Sequence, residues 1–163
     1  MKMTRKILAY ASFAALCAAS PSLAHAADRG EAQATVAGKK VSIDYGRPSM
    51  GGRDMLAMLQ SGQSWRMGAD SATTLKTDAD LAFGAAAVPK GEYVLTAKRN
   101  AENKWVLQVN RDQTVVAEVP LADQRAGGAP VDVFTIELTG SGNSGTFAMK
   151  WGTMNLSAPF TGK

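Results

Sequence analysis

Apolar and polar residues alternate in short segments along most of the chain. In the segment 40–46, for example, Val41, Ile43 and Tyr45 share one side while the residues between them are polar. Such alternation is typical of a strand with one buried face. Similar patterns occur at 73–77, 92–98, 105–109, 115–121, 131–138, 147–151 and 155–160. Many short strands with almost no helical period predict an all-β fold, an antiparallel β-sandwich or a jelly-roll-like arrangement.

The alternation also predicts which side chains form the core. Two amphipathic sheets must bury their apolar faces against each other, so the inward positions of different strands should meet. The residues expected to meet in one core are Tyr93, Leu95, Trp105, Leu107, Phe134, Ile136, Phe147 and Met149.

One segment departs from the β period and predicts one short helix around residues 54–60. Its apolar residues follow an i, i+1, i+3, i+4 spacing: Met55, Leu56, Met58 and Leu59. Asp54 can cap the start of such a helix and Gly62 can end it. We expect this helix to cross one end of the sandwich.

Residues 1–26 have the pattern of a secretory signal peptide. Basic residues come first, an apolar stretch follows at 7–19, and Ala24-His25-Ala26 provides the small residues of a cleavage site. We expect cleavage between Ala26 and Ala27, a periplasmic or secreted location, and a single β-sandwich domain over 27–163. No later apolar segment approaches the roughly 20 residues that span a bilayer, so no membrane span is expected.

The predicted leader contains the only histidine and the only cysteine, His25 and Cys17. After cleavage the chain could form neither a Ser-His-Asp nor a Cys-His catalytic arrangement. Zinc and copper sites built on imidazole or thiolate are excluded in the same way. We therefore expect no metal site and no cofactor, and a non-enzymatic role is favoured.

The overall basic charge also arises largely in the leader. The full chain has 18 Lys and Arg against 14 Asp and Glu. Three of the 18, Lys2, Arg5 and Lys6, lie in the leader, so 15 basic residues remain against 14 acidic ones. A nearly neutral surface gives no electrostatic reason to expect nucleic acid as a partner. The expected partner is an unknown small molecule or an envelope component.

Several motifs occur together in a recognisable order. They are Tyr45-Gly46-Arg47-Pro48-Ser49 with Gly52-Arg53, the stretch from Trp65 to Thr74, Val88-Pro89-Lys90-Gly91-Glu92-Tyr93, Trp105 with Asn110, and Trp151-Gly152. Their order and spacing resemble the bacterial exported family called domain of unknown function 2911, over roughly 35–160. The resemblance implies a secreted or periplasmic β-rich domain without an established activity. The chain has Asp70-Ser71 where that family usually has Asn-Glu, and Gln60-Ser61 where it has Pro-Tyr.

Three arginines in these motifs suggest a binding site, because guanidinium groups bind carboxylate or phosphate through two parallel hydrogen bonds. Turns place them at one end of the sandwich, where sites are commonly built. The candidate ligand-binding residues are Arg47, Arg53, Trp65, Arg66, Asp70 and Thr73. Alternatively, the arginines pair with Asp44, Asp54 or Asp70 or hold loop carbonyls, and Trp65 and Trp151 serve as core anchors.

Three functions follow from these residues. The first is a non-enzymatic binding or accessory module for a small ligand, a carbohydrate or an envelope component. The second is an envelope hydrolase that depends on carboxylates and arginines, since two carboxylates suffice for glycoside hydrolysis. Asp44, Asp54 and Asp70 lie near the motifs. The third is a structural module that assists another secreted protein.

Overall fold

The computed structural model describes residues 28–52, 57, 59–124 and 129–163. The predicted signal peptide and its cleavage site lie outside these residues. The described residues form thirteen strands and no helix. The strands are β1 (Arg29–Val36), β2 (Lys39–Gly46), β3 (Ser64–Trp65), β4 (Thr73–Thr77), β5 (Leu81–Phe83), β6 (Ala86–Val88), β7 (Gly91–Arg99), β8 (Trp105–Arg111), β9 (Thr114–Pro120), β10 (Ala122–Asp123), β11 (Val131–Ser141), β12 (Ser144–Gly152) and β13 (Met154–Gly162).

Every pairing between these strands is antiparallel, and the strands form two sheets. The first sheet has the order β1-β2-β4-β7-β8-β9, with β3 paired to β7. The second has the order β11-β12-β13-β5-β6, with β10 paired to β13. The all-β prediction is confirmed. Successive strands are often paired within the same sheet, as in β7-β8-β9 and β11-β12-β13. In a jelly roll, successive strands alternate between the two sheets, so this arrangement is closer to a simple antiparallel sandwich.

The two sheets bury their apolar faces against each other. All eight residues that the alternation places in the core are buried, which confirms that prediction. Side chains from both sheets line the same small internal gap, including Val41, Leu75 and Leu107 from the first sheet and Phe147 and Phe160 from the second. Such interdigitation between two inner faces defines the core of a sandwich.

The sandwich closes along one edge, where β1 runs beside β11. The backbone N–H of Ala37 donates to the carbonyl of Gly142 at 2.8 Å. A Cβ atom on Gly140 would collide with the carbonyl oxygen of Thr35. Glycine at position 140 therefore allows the two sheets to approach each other at this edge.

A bulge interrupts the last strand of the first sheet. Val109 of β8 pairs with Ala117, but Asn110 pairs with Val115, so Val116 is an extra residue on β9. Val115 and Val116 are both exposed. A bulge of this kind bends its strand and increases the local twist.

The helix predicted around residues 54–60 is not seen. Ala57 lies in a turn, Leu59 and Gln60 have no regular structure, and residues 53–56 and 58 lie outside the described residues. The N–H of Gln60 donates to Oε1 of Gln63 at 3.1 Å, and the N–H of Gln63 donates to the carbonyl of Gln60. The backbone here therefore makes a turn, and Leu59 packs against the core without helical structure. So short a segment gains little from helical propensity alone.

Candidate functional site

The predicted site residues that the structure describes lie at one end of the sandwich. We call this the tryptophan end, formed by Arg47, residues 65–73 and Trp151. Trp65 pairs with Ala97 through β3 and β7. Its ring stacks on Trp151 of the second sheet, with centroids 5.4 Å apart and planes at 9°, and meets the edge of Phe134 at 5.0 Å. Trp65 is thus half-buried and joins the two sheets.

The loop after Trp65 folds back tightly on the end of β2. Met67 is fully buried, and its carbonyl accepts a 2.5 Å hydrogen bond from Oγ1 of Thr73, which is also buried. A Cβ atom on Gly46 would collide with the backbone of Ala69, so only glycine fits at position 46. Met67 and Asp70 both have positive φ, at 55° and 60°. The motif therefore builds a compact loop around a buried methionine.

Arg66 and Asp70 lie in this loop, and Thr73 begins β4 directly after it. Nη1 of Arg66 donates to the backbone carbonyl of Asp70 at 3.2 Å, and both residues are exposed. This contact matches the alternative in which an arginine holds a loop carbonyl. Thr73 has no access to solvent, and its hydroxyl donates to the carbonyl of Met67, so its side chain is not placed to contact a ligand.

Arg47 has different partners. Its backbone N–H donates to the carbonyl of Asp28 at 2.7 Å, and Nη1 lies 3.8 Å from Oδ2 of the same residue. Its side chain covers Gly30, where a Cβ atom would lie 2.7 Å from Cδ of Arg47. Arg47 thus packs along β1, and Arg66 binds within its own loop. Arg53, the third predicted arginine, lies outside the described residues.

A second region, which the sequence analysis did not single out, is a groove of about 440 Å³ on the outer face of the first sheet. We call it the sheet groove. It crosses β2, β4, β7 and β8. Its lining consists of Ser42, Asp44, Thr74, Leu75, Lys76, Glu92, Tyr93, Val94, Asn110, Arg111 and Asp112. Most of these side chains occupy outward positions of four paired strands, whereas Leu75 and Tyr93 are buried.

Strand register places four groove residues in a single row. Asp44 lies opposite Thr74, Thr74 opposite Val94, and Val94 opposite Asn110. These residues are far apart in the sequence, and only the pairing of the strands brings them together. The row presents a carboxylate, a hydroxyl, an apolar side chain and an amide in that order.

Two ion pairs balance charge in the sheet groove. Asp44 pairs with Arg29, and Nζ of Lys76 lies 3.0 Å from Oε1 of Glu92. The hydrogen bond and the negative charge of Glu92 raise the pKa of Lys76 above its ordinary value of 10.5. Both ion pairs are solvent-accessible, so each contributes little to folding stability.

The amide of Asn110 is held by the surrounding strands. Its Nδ2 donates to the carbonyl of Val94 at 3.1 Å, to Oγ1 of Thr96 at 3.1 Å and to the carbonyl of Gln108 at 3.3 Å. Since the nitrogen end is fixed in this way, the direction of Oδ1 is fixed as well. No hydrogen bond to Oδ1 is present among the described residues.

Gln108 supports this arrangement from beside the groove. It is only 7% exposed although it lies on the outer face. Its Oε1 accepts from Ser64 at 3.0 Å and from Thr96 at 3.3 Å, and its Nε2 donates to Glu118 at 2.9 Å. A fully bonded polar network of this type makes local geometry rigid.

Arg111 lines the same end of the groove, but its guanidinium contacts Tyr93. Its guanidinium lies 4.5 Å from the centroid of the Tyr93 ring, and Nη2 donates to the Tyr93 hydroxyl at 2.8 Å. Gly91 leaves the space that this guanidinium fills. Since Tyr93 is buried, Arg111 covers the end of the core.

Metal-ligating clusters and membrane-spanning helices are both absent from the part of the chain that the structure describes. Within residues 28–52, 57, 59–124 and 129–163, no group of three or more His, Cys, Asp or Glu residues is placed to hold a metal ion. The same part of the chain contains no helix long and apolar enough to cross a membrane.

Comparison with known proteins gives one match. A family described as "Protein of unknown function (DUF2911)" matches residues 27–160. Neither the curated proteins nor the solved structures contain a match to this chain. The family match confirms the resemblance drawn from the sequence motifs, and the chain belongs to the DUF2911 family.

Proposed function

We propose that this protein is a non-enzymatic module that binds a small polar ligand in the sheet groove. The observation that carries this proposal is the groove of about 440 Å³ across four paired strands. Its volume lies within the range of about 300–1,000 Å³ that is common for ligand sites. Side chains on strands hold their positions more rigidly than side chains on loops, which favours a preformed site.

The chemistry of the lining favours a ligand rich in hydroxyl groups. Ser42 and Thr74 offer hydroxyls, Asp44 and Glu92 offer carboxylate oxygens, and Asn110 offers an amide oxygen. Hydroxyl groups can donate to these oxygens and accept from the two side-chain hydroxyls. A carbohydrate or a polyhydroxylated envelope component carries many hydroxyl groups of this kind.

Two of the three carboxylates that line the groove, Asp44 and Glu92, support binding more than hydrolysis. Asp44 is paired with Arg29, and Glu92 is paired with Lys76. Each of these two carboxylates already holds a cation, whereas a glycosidase needs a pair of carboxyl groups that face the glycosidic bond. The alternative of an envelope hydrolase therefore ranks second.

An accessory role has separate support on β9. Val115 and Val116 expose 42% and 44% of their surface next to each other. Exposed apolar residues at the end of a sheet can contact another protein. This patch is small, so the role of a module that assists another secreted protein remains a secondary proposal.

Export to the periplasm or the exterior forms part of the proposal. It rests on the leader-like pattern of residues 1–26. The family match begins at residue 27, directly after the predicted cleavage site, which is consistent with a leader outside the conserved domain.

A nuclear magnetic resonance titration tests the groove as a binding site. The exported protein would be labelled with ¹⁵N and titrated with glucose, N-acetylglucosamine, cellohexaose, maltohexaose, citrate and succinate. We expect the backbone amide signals of Asp44, Thr74, Val94 and Asn110 to shift with at least one probe. Shifts confined to Arg66 and Asp70 would contradict the sheet groove as the binding site and favour a site at the tryptophan end.

A matched pair of variants makes this test specific. Thr74→Trp fills the groove, whereas Thr35→Trp makes the same change at an exposed position of β1 outside the lining. We expect Thr74→Trp to abolish the shifts and Thr35→Trp to preserve them. Equal behaviour of the two variants would contradict the proposal, as would the absence of shifts with every probe.

A further inference from the structure

Val94 is an unusual residue in the sheet groove. It is 40% exposed, whereas Leu75 and Tyr93, the other apolar residues of the lining, are buried. Thr74 flanks it on β4 and Asn110 on β8 in the same row. A solvent-exposed valine between a hydroxyl and an amide offers an apolar contact with polar groups on both sides.

This pattern matches the surface of a sugar ring, which has an apolar face of C–H groups and a polar rim of hydroxyls. Contact with the C–H face would remove the exposed part of Val94 from water, which is favourable. The hydroxyls at the rim would then reach Thr74 on one side and Asn110 on the other.

Asn110 adds selectivity for a hydrogen-bond donor. Its Nδ2 shares two hydrogens among three acceptors on Val94, Thr96 and Gln108, and rotation of the amide would place an oxygen against the backbone carbonyls of Val94 and Gln108. The oxygen Oδ1 is therefore the end of this side chain that is left for a ligand. A fixed acceptor favours a hydroxyl and disfavours a carboxylate or phosphate at this position.

The row of four residues is long enough for more than one sugar unit. Asp44 and Asn110 are separated by three strand spacings, which amounts to about 14 Å. This distance exceeds the width of one sugar ring. The groove also adjoins a second hollow of about 250 Å³, because Lys76 and Glu92 line both.

The charge balance of the row favours a neutral ligand. The negative charge of Asp44 is compensated by Arg29, and that of Glu92 by Lys76. Neither ion pair leaves an uncompensated cation to attract an acidic sugar. Of the other charged residues of the lining, Arg111 contacts the ring and the hydroxyl of Tyr93, and Asp112 is an anion.

We propose that the sheet groove binds a neutral, linear oligosaccharide laid across β2, β4, β7 and β8, with one ring on Val94 and hydroxyls bonded to Asn110 and Asp44. This inference rests on the proposed function and specifies the ligand class and its orientation. Asn110 and Val94 determine specificity.

Isothermal titration calorimetry on the exported protein tests the chain-length argument. The probes are glucose, N-acetylglucosamine and xylose, with the trisaccharides cellotriose, maltotriose, chitotriose and xylotriose, and with galacturonic acid and its trimer as acidic counterparts. We expect one neutral trisaccharide to bind about tenfold more tightly than its monosaccharide, since additional units engage additional positions of the row. The acidic trimer should bind more weakly than the neutral one.

Val94→Thr and Val116→Thr form a matched pair, because both replace a similarly exposed valine of the same sheet by an isosteric hydroxyl residue. Only Val94 lines the groove. We expect Val94→Thr to weaken trisaccharide binding about fourfold, equivalent to about 0.8 kcal/mol, and Val116→Thr to leave it unchanged. Asn110→Leu should abolish binding, and circular dichroism would establish that this variant is folded.

The possible failures are distinguishable. Equal affinity for monosaccharide and trisaccharide, tighter binding of the acidic trimer, or equal effects of Val94→Thr and Val116→Thr would overturn the oligosaccharide inference. If the groove amides still shift with other probes in those cases, the proposed function stands. The absence of any shift in the groove overturns both.

Discussion

The indole of Trp65 in the first sheet lies parallel to the indole of Trp151 in the second, with ring centroids 5.4 Å apart and an angle of 9° between planes. Phe134 meets both rings edge-on, at 5.0 Å and 5.8 Å. This cluster joins the sheets at the tryptophan end. One face of Trp65 is thus covered by another side chain of the protein, in line with the core-anchor alternative.

A double-mutant cycle would measure this stacking. We expect Trp151→Ala to reduce the free energy of unfolding by about 3–5 kcal/mol, because Trp151 is buried. Trp65→Ala should cost less, because Trp65 is only half-buried. The double variant should lose about 0.5–1.5 kcal/mol less than the two single losses combined. Urea denaturation provides the values, and strict additivity would show that the rings do not interact.

Thr73 and Thr74 are neighbours in sequence with opposite environments. Thr73→Val removes the hydroxyl that donates to the carbonyl of Met67 at a fully buried position. We expect a loss of about 1–3 kcal/mol of stability, because the carbonyl is left without this partner. Thr74→Val, at an exposed position, should change stability by no more than about 0.5 kcal/mol. Thermal melts that rank the two variants in the reverse order would refute the proposed role of Thr73.

Gly46→Ala tests the close approach between β2 and the loop 66–72. The added Cβ atom would collide with the backbone of Ala69, which cannot move as a flexible side chain could. We expect a loss of about 1–3 kcal/mol from this overpacking. Chemical denaturation measures the change. A stability equal to that of the wild type would mean that the loop does not contact Gly46 in solution.

Lys76 should show a measurable pH dependence. Its pKa is raised because Glu92 stabilises the protonated form, so the stabilising contribution is complete below 10.5 and is lost as the pH rises through the folded-state pKa. Glu92→Gln should return the pKa of Lys76 towards 10.5. Titration of the Lys76 side chain by ¹³C nuclear magnetic resonance measures this change. Glu31→Gln, the same substitution on β1, should leave the titration of Lys76 as it is in the wild type.

N-terminal sequencing of exported protein tests the predicted leader. We expect Ala27 as the first residue, because Ala24 and Ala26 supply the small side chains that a signal peptidase requires. A product that begins with a lipidated Cys17 would contradict both this cleavage site and the predicted location. Retention of Met1 in the purified protein would exclude processing altogether.

Much of the fold could be predicted because inward and outward positions repeat every two residues. The segment 73–77 was predicted as a strand and forms β4 with the same bounds. The alternation at 40–46 likewise corresponds to β2. In contrast, the alternation does not predict β1, since only Ala32 and Val36 are buried among its small and polar residues. Local alternation cannot identify a strand whose inward side chains are so small.

The candidate site was less predictable for a different reason. The motif around Arg66 is conspicuous in the sequence, but its main structural task is to enclose Met67 beneath a tight loop. The sheet groove, by contrast, is built from single outward residues on four strands, such as Asp44 and Asn110. The period of two shows that each of these residues faces outward. It does not show which strands are neighbours, and the row exists only through that pairing.

The bulge at Val116 affects whether another molecule can add a strand to the edge of the first sheet. An edge strand has unpaired backbone groups to which a strand of another molecule can add, and this addition leads to aggregation. The extra residue disturbs the regular spacing of backbone groups on β9, and Pro120 lacks a backbone N–H at the end of that strand. These two features make β9 a poor template. They limit strand addition at an edge strand on which Val115 and Val116 are exposed.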